Sequence, residues 1–312
     1  MPEIERSERA ELATRCKRYF RNLILNFDWE DRSLIIKGPS FSHLDIDHEL
    51  LDFAETFGCE RSISGVSQFH MELGGYDLSF EDSWSGFYIA KRARIESGNR
   101  LTILHFDAHV DIMPAPLWRD SGSLRSLIDG QRFSVLRTDC WQRAIENGTV
   151  GIGNFFTPFF HDLSSFTVMH VTSVPTEGVK TYRATPSTSE SSDLRGIQQI
   201  SVEMQKARSG DDPYTYARSN DLQWLLDVSP SQELIGHIDL DYFVNYFDGR
   251  SKDQLDKNFS LDSAFRSIDR IADTLSRSGV YVSRWILATS PGFCPARAWN
   301  QLINRFASAM EA

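Results

Sequence analysis

The sequence predicts an α/β protein built on a mostly parallel central sheet with helices on both faces. Three observations carry that reading. Near-continuous apolar runs, above all LTILHFD (101–107) and ELIGHIDLDYF (233–243), have the composition of strands buried on both faces. Helical patterns such as SLDSAFRSIDRIADTLSRSG (260–279) fall between such runs, and this alternation implies right-handed crossovers between parallel strands. Finally, both apolar runs meet acidic clusters, and ligands of open α/β sheets bind beyond the carboxyl ends of the strands.

Taken in order, residues 4–28 read as an amphipathic helix ending near NFDWEDR. LIIKG (34–38) reads as a short buried strand, and DHELLDFAETFG (47–58) as a helix closed by Gly58. SISGVSQFH (62–70) suits a strand, followed by the Gly-rich turn HMELGGYD. From Asp82 to about Glu96 the chain has helical character, with Asp82 or Ser83 as N-cap. CWQRAIENG is a helix stopped by Gly148, and VGIGNFF and FTVMHVTS are the next strands. Residues 175–220, rich in Ser, Thr, Arg and Asp, read as a long loop with some helix in LRGIQQISVEMQKA. Such a segment serves as a lid or specificity element, or is a disordered insertion. VSRWILATSPGF is the last strand and leads into a C-terminal helix. With no repeat, low-complexity tract or linker, residues 1–312 read as one domain.

Composition narrows the function classes. Hydrophobic content of 41% and charged content of 24% are globular values, so a substantial core is expected. A formal charge of −10 argues against nucleic acid as the main partner, since phosphate binding needs a basic surface. It suits a cationic substrate. The four cysteines, Cys16, Cys59, Cys140 and Cys294, form no CxxC pair, the pattern of reduced thiols. No apolar leader or membrane-spanning run is visible, so a soluble, cytoplasmic protein with no membrane partner is expected.

The two acidic clusters carry the chemistry. Asp107, His109 and Asp111 stand at i, i+2, i+4, and Asp239 and Asp241 at i, i+2, which in an extended chain throws each set toward one side. Four converging carboxylates repel one another unless a cation neutralises them. Oxygen-rich ligation with one imidazole suits Mn²⁺ or Fe²⁺ better than a structural zinc site. The bland alternative is that Asp107 and Asp239 cap helices or pair with arginines. A metal-dependent hydrolase is the expectation.

HFDAHVD followed by SPSQELIGHIDLD resembles the arginase–agmatinase (ureohydrolase) superfamily, and with GIGNFFTPFF and ATSPGFCPARAW it is most similar to the divergent branch that includes peptide arginases. The resemblance spans roughly residues 60–300 and implies a three-layer arginase/deacetylase-like fold. It also implies two Mn²⁺ ions bridged by Asp107 and Asp239, with His109 and Asp241 on one ion. Asp111 would hold the other and act on the bridging hydroxide. The implied reaction converts arginine in a precursor peptide to ornithine and urea, and family members are often homo-oligomers. The family's upstream histidine ligand is missing: its spacing lands on Trp84. His70 is the natural substitute, or else a histidine at the site rim.

His161 and His170 follow strands and are candidates for proton shuttling or for structural hydrogen bonds. His105 and His237 are expected beside the site in support, and His43 and His48 at the surface. Asn154 is a substrate contact by resemblance, or a turn residue. The SPGF turn (290–293) belongs on the site rim. Phe155, Phe156, Phe159 and Phe160 are core or, if exposed, a peptide-receiving patch. Two other readings remain open: a single-metal deacetylase-like amidohydrolase using Asp107, His109 and Asp239, and an inactive peptide-binding protein of the same fold.

Overall fold

The computed structural model describes residues 6–93, 100–189, 198–207, 212–228, 233–248 and 260–311. Helix α1 (Arg6–Tyr19) stops well before NFDWEDR, because Asn22 takes a left-handed φ of 60° and the chain turns into a hairpin of β1 (Leu23–Asp28) and β2 (Ser33–Pro39). LIIKG is therefore a strand, but of a separate two-stranded sheet, with Ile35 exposed rather than in the core.

The chain continues through α2 (Leu50–Glu55), α3 (Ile63–Gln68), β3 (His70–Glu72), β4 (Tyr76–Ser79), α4 (Ser83–Arg92) and β5 (Arg100–Asp107). The strand expected over 62–70 is helix α3, because the Ser62 hydroxyl accepts from the Gly65 amide at 2.9 Å and caps a helical turn. A small antiparallel sheet, β6 (Leu117–Asp120), β7 (Ser123–Ser126) and β8 (Arg132–Phe133), precedes α5 (Thr138–Glu146) and α6 (Thr157–Asp162). VGIGNFF is not a strand. The Asn154 side chain accepts from the Gly151 amide at 2.9 Å and closes a turn into α6.

Then come β9 (Ser165–Thr172), β10 (Lys180–Thr188), β11 (Ile200–Lys206), β12 (Tyr214–Ser219), β13 (Glu233–Asp239), α7 (Asp262–Ser278), β14 (Tyr281–Ala288) and α8 (Ala296–Glu311). The expected loop over 175–220 thus contributes three strands. ISVEMQK alternates apolar and polar residues with the period of a strand, which overrides its helix-forming Glu, Met, Gln and Lys. Residues 194–197 of the expected helix lie outside the described residues. Gly279 ends α7 at φ 67°, as its position implies.

The main sheet has nine strands in the order β11-β10-β12-β9-β5-β13-β14-β4-β3. The run from β12 to β4 is parallel, and antiparallel β10–β11 and β3 close its two sides. Alternation along β5 divides the core. Leu104 and Phe106 pack with α2, α7 and α8, while Ile103 packs with α4, α5 and α6. The result is a three-layer α/β arrangement with a mixed, mostly parallel sheet. Among the described residues no helix is long and apolar enough to cross a membrane.

The α4–α5 contact fixes the end of the sheet where β4 hands over to α4. Gly86 lies against the Trp141 ring, leaving no room for a methyl group. Gly86→Ala is expected to destabilise the protein by about 1–3 kcal/mol through overpacking, measured by urea denaturation. An unchanged midpoint would contradict this packing.

Candidate metal centre

Strands β5 and β13 pair in parallel with His237 opposite His105 and Ile238 opposite Phe106, so Asp107 and Asp239 end neighbouring strands side by side. Each acid then folds its own loop. Asp107 Oδ1 accepts from the His109 amide at 2.5 Å, and Asp239 Oδ1 accepts from the Asp241 amide at 3.2 Å. This local bond, from a carboxylate to the amide two residues on, is the structural content of the D-x-H and D-x-D spacing. Asp241 Oδ1 ties the two loops together through the Ala108 amide at 3.3 Å. Asp111 is held at φ 49°, a left-handed conformation that costs a non-glycine residue about 1 kcal/mol or more. Its own carboxylate is 96% buried in return.

A further acid joins from β4. Asp82 sits immediately before α4, but its side chain does not cap that helix. It accepts from the Ser85 hydroxyl at 3.0 Å and faces His237 Nε2 at 2.8 Å. His237 belongs to a row of three fully buried histidines, His170, His105 and His237, at matched positions on β9, β5 and β13. His170 is anchored at both nitrogens, by Tyr216 Oη at 2.5 Å and the Asp107 carbonyl at 2.9 Å. His105 Nδ1 meets His237 Nδ1 at 2.8 Å.

With one proton on each ring, His237 donates to Asp82 and must accept from His105. The remaining His105 lone pair, on Nε2, then points at Asp107 Oδ2 and Asp111 Oδ2, each 3.6 Å away. All three atoms are buried and none has a hydrogen-bond partner. Lone pairs facing lone pairs in a dry interior call for a cation between them.

The electrostatics agree. Burial, then Asp107 and Asp82, push the Asp111 carboxyl well above its usual range, and burial with Asp241 and Asp107 does the same to Asp239. Asp241 is pushed up to about 7 by burial and Asp107, against the pull of His109. His109 is the one local counter-charge among these groups. Its Nδ1 stands 3.5 Å from Asp107 Oδ1 and 2.8 Å from Asp241 Oδ2, which raises it to about 11. Burial holds His105 well below its ordinary value and His170 at about 3. One imidazolium against five acids leaves a large negative excess.

Among the described residues, three sets of side chains bring candidate ligand atoms within 4.8 Å of one another: Asp82–Asp107–Asp111, Asp107–His109–Asp241, and His105–Asp107–His237. Asp107 is common to all three. Donors of this kind, mainly carboxylate oxygen with imidazole nitrogen, suit a hard or borderline divalent cation such as Mn²⁺. The sets open on a cavity of about 780 Å³ whose lining includes Asp82, Asp111 and Asp239 together with Ser290, Pro291 and Phe293 of the SPGF turn.

Asp107, His109, Asp111 and Asp241 enter these sets, whereas Asp239 ends the strand beside Asp107 and lines the cavity but belongs to none of them. His70 lies in β3, stacked on Trp84 at 3.9 Å and bonded to Tyr88 Oη at 3.0 Å, and it belongs to none of the three sets. Asp82, two residues before Trp84, instead shares a set with Asp107 and Asp111. His161 donates from Nε2 to the Ser201 carbonyl at 2.7 Å and is not among the residues that line the cavity. Asn154 serves the turn described above rather than the cavity. The four phenylalanines 155, 156, 159 and 160 are all fully buried, so no peptide-receiving patch exists there. His48 is exposed, whereas His43 is half-buried, pairs with Glu81 at 3.2 Å and lines the cavity. No protein-family model matches the chain, and no curated protein matches it.

Without divalent cations the raised groups make stability fall with pH. Asp111, Asp239 and His109 hold protons in the folded state that the unfolded chain has already released. Buried His105 and His170 act in the opposite sense only below about pH 6.5, where the unfolded chain takes up protons. In chelator, raising the pH from about 7.5 to 9.5 is therefore expected to lower Tm by about 2 °C or more, and Mn²⁺ to remove that slope. A chelated Tm that stays flat or rises over this window would contradict the site's electrostatics.

Proposed function

We propose that this chain is a dinuclear manganese hydrolase of the ureohydrolase kind, cleaving the guanidinium group of arginine, within a peptide, to ornithine and urea. The observation that carries the reading is the set of Asp107-centred donor groups at the carboxyl ends of adjacent parallel strands, open to a substrate-sized cavity. The three-layer order of the fold agrees with an arginase/deacetylase-like architecture. Asp82, Asp107 and Asp111 would hold one Mn²⁺, and Asp107, His109 and Asp241 the other, with Asp239 beside Asp107. Bound there, the pair supplies a water acidic enough to be a nucleophile near neutral pH and a charge that polarises the substrate.

The chain's own residues do the rest. The acidic floor attracts and orients a cationic guanidinium. Asp111, which lines the cavity within reach of Asp107 and Asp82, takes a proton from the attacking water and returns it to the departing amine. His237, itself bonded to His105, keeps Asp82 in place. Met113, Ile152 and Phe293 line the cavity and exclude water around the substrate's aliphatic stem. A single-metal amidohydrolase would need only one of the donor sets, so the Asp82 set favours two ions over one.

Incubating the Mn²⁺-loaded protein with arginine and arginine-containing peptides is expected to release urea, with a loss of about 42 Da per arginine. Asp239→Asn is expected to lower turnover at least about a hundredfold while the protein stays folded. Acetate release from acetylated peptides with no urea from any guanidino compound would contradict the reading.

A further inference from the structure

The cavity above the acids also carries positive charge. Arg218, near the end of β12, lines it together with Asp82, Asp111 and Asp239, and sits opposite His170 of β9. Two half-buried arginines elsewhere in the main sheet and its helices are held by a buried acid. Arg92 and Arg284 each make two hydrogen bonds to the buried Asp77 carboxylate, and Arg284 three more to backbone carbonyls. Arg218 is different. Its one hydrogen bond among the described residues runs from Nη2 to Thr172 Oγ1 at 3.2 Å, its Nε is buried with no partner, and it pairs with no described carboxylate.

This is unusual in a chain with 43 acidic and 33 basic residues. A guanidinium taken partly out of water without an anion is destabilising unless something else provides one. Its planar fork of donors matches a carboxylate in two-point geometry. Lys17, exposed on α1, lines the same cavity and adds a second cation. The cavity is thus bipolar, with carboxylates on its floor and cations on its wall. A purely cationic ligand would be repelled by that wall, whereas a molecule with a cation at one end and an anion at the other satisfies both.

We propose that Arg218 binds a carboxylate of the substrate, so that the compound the site takes carries an anionic group beyond the guanidinium it presents to the acids. This rests on the guanidinium-hydrolase reading and narrows it. Two sources offer that chemistry: the α-carboxylate of free or C-terminal arginine, and an acidic side chain beside an arginine inside a peptide. Arg218 sets specificity and takes no part in bond cleavage.

The test separates binding from turnover in the Mn²⁺-loaded full chain. Calorimetry compares L-ornithine with putrescine, which lacks only the carboxylate. The wild type is expected to bind ornithine at least about tenfold more tightly. Arg218→Gln is expected to erase that preference without weakening putrescine binding, and Arg218→Lys to keep part of it. Retained putrescine binding shows that the variant is folded. Equal binding of the two amines by the wild type together with equal efficiency within all three turnover pairs below, or an unaltered preference in Arg218→Gln, overturns the proposal.

Turnover then locates the carboxylate. In the wild type, kcat/KM is compared for L-arginine against agmatine, for a C-terminal arginine peptide as acid against amide, and for an interior arginine beside Glu against Gln. The pair whose ratio collapses in Arg218→Gln, through KM rather than kcat, names the source. Urea from all pairs at equal efficiency overturns the carboxylate proposal and leaves the hydrolase reading standing. No urea from any of them, with ornithine still bound through Arg218, overturns the hydrolase reading alone.

Discussion

Five carboxylates, from Asp82, Asp107, Asp111, Asp239 and Asp241, converge at one end of the sheet with a single half-exposed imidazole to offset them. Everything else about this end of the molecule follows from that repulsion. Charges held a few ångströms apart in a buried site cost far more than at a surface. Protons can relieve the strain only partly, by filling carboxyl groups whose affinity for protons is already forced upward. Two divalent cations, four positive charges against a net four negative ones, would relieve it and also satisfy the lone pairs on Asp107, Asp111 and His105 that no described donor reaches.

The fold supplies the rigidity that such a site requires. Parallel pairing sets Asp107 beside Asp239 through the backbone alone. One residue pair deeper, the strands carry His105 and His237 where apolar residues such as Ile103, Ile235 and Ile286 otherwise fill the layer toward α4, α5 and α6. These rings form a polar floor inside an apolar layer, and they connect the acid from β4 to the acids of β5. Across the sheet, Asp77 repeats the theme with a different solution. It is also fully buried, but Arg92 and Arg284 pair with it, so it needs no ion. The contrast is one of partners: Asp77 has two arginines, whereas the clustered acids have imidazoles and one another.

Much of this was legible in the sequence. The strand-end clusters are local signals: a buried apolar run followed by acids at spacing two declares both the strand and its terminus, and β5 and β13 lie where those runs stand. The α/β class agrees with the strand–helix alternation. The misreadings share a physical origin. β4 is only four residues long and contains the charged Asp77, so it lacks the apolar signature of a buried strand, and Asp82 just beyond it went unrecognised. Attention moved instead to His70, whose ring turns toward Trp84 and Tyr88. β10 and β11 are polar because they form a partly solvated antiparallel margin, where alternation replaces a continuous apolar run, and β12 joins that margin to parallel β9. Arg218 carries no sequence signal at all, since its meaning depends on which acids fail to reach it. An acid at the end of a short YDLS-type strand, just before a helix, is the signal that finds Asp82.

The most direct measurement is anomalous diffraction from crystals grown with Mn²⁺, recorded on both sides of the manganese absorption edge. The account predicts two peaks, both touching Asp107, one also touching Asp82 and Asp111 and the other His109 and Asp241. Acids that keep their present arrangement with no anomalous peak beside Asp107, under Mn²⁺ and near-neutral pH, would contradict it.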